Sequence, residues 1–265
     1  MSQVLSQHIL LSFDIEEFDV PCEHGVDLPM EEQVCISVEG THAILDVLRD
    51  HGVRATFFST ANFAQRAPEV IQRLIREGHE LASHGFYHSS FEVADLKKSK
   101  EALEAQTGQT IRGYRMARMM PVSEVEVAKA GYTYNTSLNP TFIPGRYMHL
   151  GTPRTHFMQD GVLQIPASVT PWVRFPLFWL SCHNLPFFLY RWLCHRTLRH
   201  DGYLVTYFHP WEFYELNEHP EFGLPFIVRN NSGRGMIKRL DRWIASFKGE
   251  GASFITYSEF ADSIS

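Results

Sequence analysis

Apolar and polar positions along this chain fall into blocks whose period switches regularly. Residues 8–13 (HILLSF) form an apolar run, as expected of a strand buried on both faces, and the run ends at Asp14. A helix is predicted over about 40–51, where Ile44, Leu45 and Leu48 share a face and Gly52 supplies the stop. Residues 53–60 (VRATFFST) again read as strand. Pro68 then opens a helix with Val70, Ile71, Leu74 and Ile75 on one stripe and Gly78 past its end. The alternation continues with a strand at 79–83, a helix at 91–107 closed by Gly108, and a strand at 111–115. A helix at 123–130 ended by Gly131 and a strand at 132–135 follow.

Residues 139–161 are rich in Pro, Gly, Thr and His, the composition of a long functional loop rather than a linker. Strand (162–166), helix (185–199) and strand (203–208) follow. After a second long loop, Met236, Ile237, Leu240, Ile244 and Phe247 mark a last amphipathic helix, before a strand at 253–256 and a short terminal helix. About eight strands alternating with helices predict an α/β protein whose parallel sheet closes, or nearly closes, into a barrel. With no fixed-period repeat and no linker, residues 1–265 read as a single domain. Such barrels carry their chemistry at the C-terminal strand ends. Asp14, His84, Arg115, Asn135 and His209 all fall at or just past a predicted strand end.

Composition narrows the partners. A net charge of −6 and a pI near 6.1 argue against nucleic acid. Four cysteines without a CxxC suit reduced thiols better than a disulfide framework or a structural zinc site. The opening MSQVLSQHILLSFD lacks a basic start and a long apolar run, so no secretory leader is read and the expected address is cytoplasmic. The stretch 175–194 (FPLFWLSCHNLPFFLYRWLC) approaches the length of a membrane span. Pro176, Pro186, His183, Asn184 and Arg191 interrupt it, so it is expected to be an aromatic loop and helix covering one face. Peripheral membrane or partner contact is its alternative role.

Three segments could meet in one site. His84 and His88 stand four apart in HELASHGFYH, a spacing that lets two imidazoles chelate one metal. The acidic stretch 14–19 (DIEEFD) places Asp14 and Glu16 on one face if extended geometry persists, and Glu17 on the other. Two histidines and one carboxylate make an open catalytic metal centre, leaving another carboxylate as general base. His209, held at a strand end by Pro210, suits a general acid, and Arg115 could keep a carboxylate ionised.

Taken in order, SFDIEEFD, GVRATFF, GHELASHGFYH, RGYRMA, GYTYNTSL and YFHPWEF resemble the polysaccharide deacetylase family with the NodB-type homology domain, carbohydrate esterase family four. The resemblance covers about 8–215 and is greatest to the branch with an Asp-x-Glu first motif and an HPWE last motif. It implies a distorted (β/α) barrel, one divalent metal, usually zinc with cobalt or nickel as substitutes, and hydrolysis of N-acetyl or related amide groups on amino sugars. By position it implies Asp14 as base, Glu16 as acidic metal ligand with Glu17 as fallback, and His84 and His88 as metal histidines. His209 would be the acid and Arg115 the group that tunes the base. Trp172, Trp179, Trp211 and Tyr147 are candidates to stack on sugar rings. A small cyclic or linear amide is the alternative substrate, and glycan binding without catalysis the alternative role. Two departures stand out: Met116-Ala117 follows Arg115 where the family has x-Pro, and Asn135 occupies the usual place of an Asp. An Asn can orient an imidazole but cannot stabilise its charge, which leaves Glu212 as another partner for His209.

Overall fold

The computed structural model describes residues 7–264. Its main sheet takes β1 (His8–Ile15), β2 (Thr56–Ser59), β3 (Glu80–Ser83), β4 (Gly113–Tyr114) and β5 (Tyr134–Asn135) in sequence. Two short strands, β6 (Phe142–Ile143) and β7 (Tyr147–Met148), form a separate hairpin. The main sheet continues with β8 (Phe157–Gln159), β9 (Val162–Gln164), β10 (Tyr203–Phe208) and β11 (Ser253–Phe254). The order is β10-β1-β2-β3-β4-β5-β9-β8, with β11 also on β1, and every pair is parallel except β8 with β9. Past β9 the chain returns to β10, where Ser168 N–H donates to the Val205 carbonyl at 3.0 Å. The sheet is thus curled into a barrel whose last seam is held by isolated bonds, the (β/α) arrangement expected.

Strand parity decides what the barrel encloses, because successive side chains leave a strand on opposite faces. On β1, Ile9, Leu11, Phe13 and Ile15 belong to the core between sheet and helices, while Leu10 belongs to the interior cluster with Phe58, Ala82, Tyr134 and Val205. The inward register therefore runs 10, 12, 14 on β1, 80, 82, 84 through β3, and 203, 205, 207, 209 through β10. Phe13 pairs with Phe208, so β1 carries Asp14 level with His209 just beyond β10.

Most helices lie where periodicity places them, including Pro68–Arg76, Val93–Thr107 and Arg234–Gly249. The helix expected over 40–51 is longer, Met30–His51. Gly40 sits inside it, where a glycine ordinarily weakens a helix. Here the glycine is needed: a methyl group at 40 would overlap the Pro210 carbonyl. The missing side chain lets this helix press on the turn Pro210–Phe213 that follows His209. The loop expected at 139–161 is not wholly irregular; it holds the β6–β7 hairpin and β8, too short to leave a period in sequence. The helices Ala61–Arg66 and Trp179–Asn184 are likewise too short to be read from periodicity.

Replacing Gly40 by Ala is expected to cost roughly 1–3 kcal/mol, the usual range for overpacking. Urea denaturation with an unchanged m-value would register it. Stability equal to wild type would show that this contact does not constrain the turn.

Candidate metal centre and active site

The turn after β3 creates the first half of the site. Gly85 has φ +88°, and this left-handed residue bends the chain straight after His84 so that His88 comes back beside it. The two imidazoles stack at 5.8 Å between centroids. Each has its Nδ1 committed elsewhere. His84 Nδ1–H donates to the Arg115 carbonyl at 2.9 Å, and His88 Nδ1–H to Asp19 Oδ1 at 2.8 Å. Both Nε2 atoms then face Glu16 Oε2, at 3.0 and 3.1 Å.

This arrangement suits a cation. His84 Nε2 and Glu16 Oε2 are both buried without a hydrogen-bond partner, two electron-pair donors aimed at each other. Two donors at that distance repel unless a proton or a metal lies between them. One donor atom from each of Glu16, His84 and His88 lies within 4.8 Å of the others, a set of three protein ligands with room for further coordination. Without a cation, protons take its place. Burial opposes the charge of Glu16, but His88 and the neighbouring imidazoles outweigh it and hold the carboxyl at about 2. Burial likewise opposes a charged His88, but Glu16 and Asp19 push it up to about 9.

Glu17 turns the other way, as its parity requires. It accepts from Thr60 Oγ1 at 3.1 Å and from Asn62 Nδ2, so it is spent on structure.

Asp14 and Arg115 form a fully buried ion pair through Oδ1 and Nη1. Arg115 Nη2 also donates to Ser12 Oγ and Tyr257 OH, both at 3.0 Å, and its guanidinium lies 4.1 Å from the centre of the Phe58 ring. Burial works against its charge, but Asp14 raises its pKa above even the usual arginine value. Breaking a buried pair of this kind by removing one partner typically costs about 3–5 kcal/mol. The second oxygen, Asp14 Oδ2, faces His209 Nε2 across 3.9 Å, too far for a hydrogen bond and open to a bridging atom.

His209 stacks on Trp211 at 4.9 Å and meets the edge of Trp179 at 5.5 Å. Its Nδ1–H donates to Glu212 Oε1 at 2.9 Å. Burial lowers its pKa, but the Glu212 bond and the charges of Glu16, Glu212 and Asp14 outweigh that and raise it. Glu212 in turn accepts at Oε2 from His183 Nε2 at 2.9 Å, and His183 Nδ1 faces the Asn230 carbonyl at 2.5 Å. The expected acid thus rests on a buried His–Glu–His chain.

The structure brings Asp14, Glu16, His84, His88, Arg115 and His209 together, and it excludes Asn135 from a role on His209. Tyr134 has the inward parity on β5, so Asn135 points outward and donates to Glu124 at 2.9 Å. Glu212 is the partner of His209 instead. Trp179, Trp211 and Tyr147 line the pocket, whereas Trp172 lies outside it. Three contributors carried no signal of their own. Asp19 stood unassigned in the acidic stretch, and Arg118 and His183 were unmarked by any spacing. Arg118 has φ +57° and donates to Asp19 Oδ2 at 2.9 Å, which steadies the Asp19–His88 bond. The cavity is about 330 Å³, and Ile143, Leu180, Ile227 and Val228 are part of its lining.

Because His88 holds a proton up to about 9, a metal must displace it. Zinc titration at pH 7 is expected to release about one proton per ion, with affinity rising about tenfold per pH unit toward pH 9. Calorimetry in buffers of different ionisation enthalpy measures this. The binding should vanish in His84→Ala/His88→Ala, and zinc uptake without proton release would contradict the assignment of His88.

Among known proteins, residues 6–134 match the family model described as Polysaccharide deacetylase. Over 92 residues the chain is 34% identical to chitooligosaccharide deacetylase of Sinorhizobium fredii, covering 35% of this chain and 40% of that protein. Over 65 residues it is 38% identical to an uncharacterized 30.6 kDa protein of Geobacillus stearothermophilus, 24% of each chain. These matches span well under half of either relative. The fold is that of a candidate polysaccharide deacetylase from Mycobacterium smegmatis, with TM-score 0.70 and 20% identity over 99% of this chain and 92% of that one. No helix among the described residues is long and apolar enough to cross a membrane. The matched segment contains the strands that lead into Asp14, Glu16, His84, His88 and Arg115, and over that segment the chain is similar to the polysaccharide deacetylase family.

Proposed function

We propose that this protein is a metal-dependent hydrolase that removes N-acetyl groups from amino sugars. The observation that carries the reading is the convergence of His84 Nε2 and His88 Nε2 on Glu16 Oε2 beside a carboxylate and an imidazole that face each other across 3.9 Å. Glu16, His84 and His88 would hold a divalent cation, with zinc favoured by the two-histidine, one-carboxylate set. Such an ion supplies Lewis-acid polarisation of the amide carbonyl and of water.

The chain's own residues do the proton work. Asp14, oriented through Oδ1 by Arg115, takes a proton from the attacking water at Oδ2. The carbonyl carbon gains a C–O bond and its oxygen becomes an oxyanion. His209, charged because Glu212 and the nearby carboxylates favour its protonated form, gives its Nε2 proton to the amide nitrogen as the C–N bond breaks. Acetate and a free amine leave.

Support for a sugar comes from the similarity to a chitooligosaccharide deacetylase and from Trp179, Trp211 and Tyr147 in the pocket wall. One observation favours a second reading, a small cyclic or linear amide as substrate. The cavity is only about 330 Å³, and four aliphatic side chains, Ile143, Leu180, Ile227 and Val228, are part of its lining. Parallel assays on N-acetylated sugar oligomers and on small amides separate the two. Turnover of neither by zinc-loaded protein that still binds sugar would leave a glycan-binding role.

Asp14→Asn should lower kcat by about a hundredfold or more, since it removes the base while leaving the metal ligands. A variant with wild-type kcat would remove Asp14 from this role. The acid must be protonated, so activity should fall as pH rises through the elevated pKa of His209. Glu212→Gln removes the charge that raises it, and the alkaline limb of kcat/KM should move about one unit toward lower pH. An unmoved limb would mean that another group is the acid.

A further inference from the structure

Away from the active site, the helix Phe187–Asp201 turns an unusual face to solvent. Phe188 and Trp192 stand on it 75% and 52% exposed, and Arg191, Arg196 and Arg199 follow at spacings that keep them on the same side. Arg191 is paired with Glu250 at 3.2 Å, and Arg196 lies over the Trp192 ring at 5.3 Å. Among the described residues neither Arg196 nor Arg199 has a carboxylate partner. A groove of about 1180 Å³ opens between these side chains and Gly251.

A second feature meets this face. The chain doubles back at 169–176 through a single bridge between Val169 and Pro176, and its tip is Trp172-Val173, 82% and 80% exposed. The turn behind the tip is anchored through Arg174. Arg174 has φ +52° and is tied to the carbonyls of Pro140 and Thr152 at 3.1 and 2.8 Å. The Trp172 ring rests 6.2 Å from that of His200 in the last turn of the helix, so loop tip and helix form one patch. The fold gains nothing from holding a tryptophan and a valine in water on a strained turn.

We propose that this patch docks the protein on the surface of an anionic phospholipid bilayer. The aromatic rings and Val173 would enter the headgroup region, and Arg196 and Arg199 would meet lipid phosphates. Charge selects the occupant. In a chain of net charge −6, this face presents two exposed arginines with no carboxylate partner among the described residues, beside exposed aromatic rings, so the patch favours an anionic partner. Two copies meeting symmetrically by this face would set arginines against arginines, which disfavours self-association. The protruding apolar tip fits an interface that yields to it better than it fits a soluble polyanion. The inference does not depend on the reaction proposed above.

Sedimentation of the whole protein with phosphatidylcholine vesicles, with and without about one-third phosphatidylglycerol, tests it. Binding is expected only with the anionic lipid, weakening as salt rises, with quenching of tryptophan fluorescence by brominated acyl chains. Arg196→Glu/Arg199→Glu should weaken it on the order of tenfold or more at an unchanged thermal midpoint. Trp172→Ser/Val173→Ser should reduce the quenching, leaving only the part that Trp192 contributes. Equal binding to neutral vesicles, no binding to either, or unaltered binding by the arginine variant would overturn the proposal. So would binding without quenching that a soluble polyanion displaces, or a concentration-dependent dimer lost in the same variants.

Discussion

Arg115 is the residue on which the site's geometry depends, because it acts through three different groups at once. Its guanidinium clamps Asp14, its carbonyl accepts the Nδ1 proton of His84, and its backbone N–H donates to the Ser83 carbonyl at 2.9 Å. The proposed base and one of the histidines proposed as metal ligands are therefore set by a single position just past β4. A cation buried without solvent is costly unless matched by charge and hydrogen bonds. Asp14, Ser12 and Tyr257 supply that match, and Tyr257 reaches it from the first turn of the last helix, which Thr256 caps. The end of the chain is in this way tied to the mouth of its first strand.

The two histidine systems share one logic. His88 is steadied through Asp19 by Arg118, and His209 through Glu212 by His183. In each, a carboxylate fixes which ring nitrogen carries the proton and leaves Nε2 to face the cavity. Local backbone supports the first: Arg118 and Met119 both adopt positive φ in the turn after Arg115-Met116. The departure from Arg-x-Pro thus coincides with a strained turn that brings a second arginine to the site.

Gly40 shows how a distant helix joins this arrangement. By letting helix Met30–His51 touch the Pro210 carbonyl, it braces the turn that carries both His209 and Glu212. In sequence a glycine reads as a weak point in a helix, and the helix is expected only from about residue 40 onward. Close approach of two backbones, invisible to any local pattern, reverses that meaning.

The alternation of apolar runs and helical stripes determined the order of elements and hence the parallel, barrel-like sheet, because burial on both faces and the 3.6-residue period are local properties. The same is true of the face shared by Asp14 and Glu16, and of Glu17 on the other, since parity is fixed within one strand. Parity on β5 could also have been read, and it would have turned Asn135 away from His209. Tertiary structure alone decided which carboxylate meets which imidazole, that Arg118 and His183 complete those pairs, and that Trp172 lies outside the pocket. Those outcomes depend on where separate loops cross in space, and nothing in the spacing of residues along the chain encodes the distance between them.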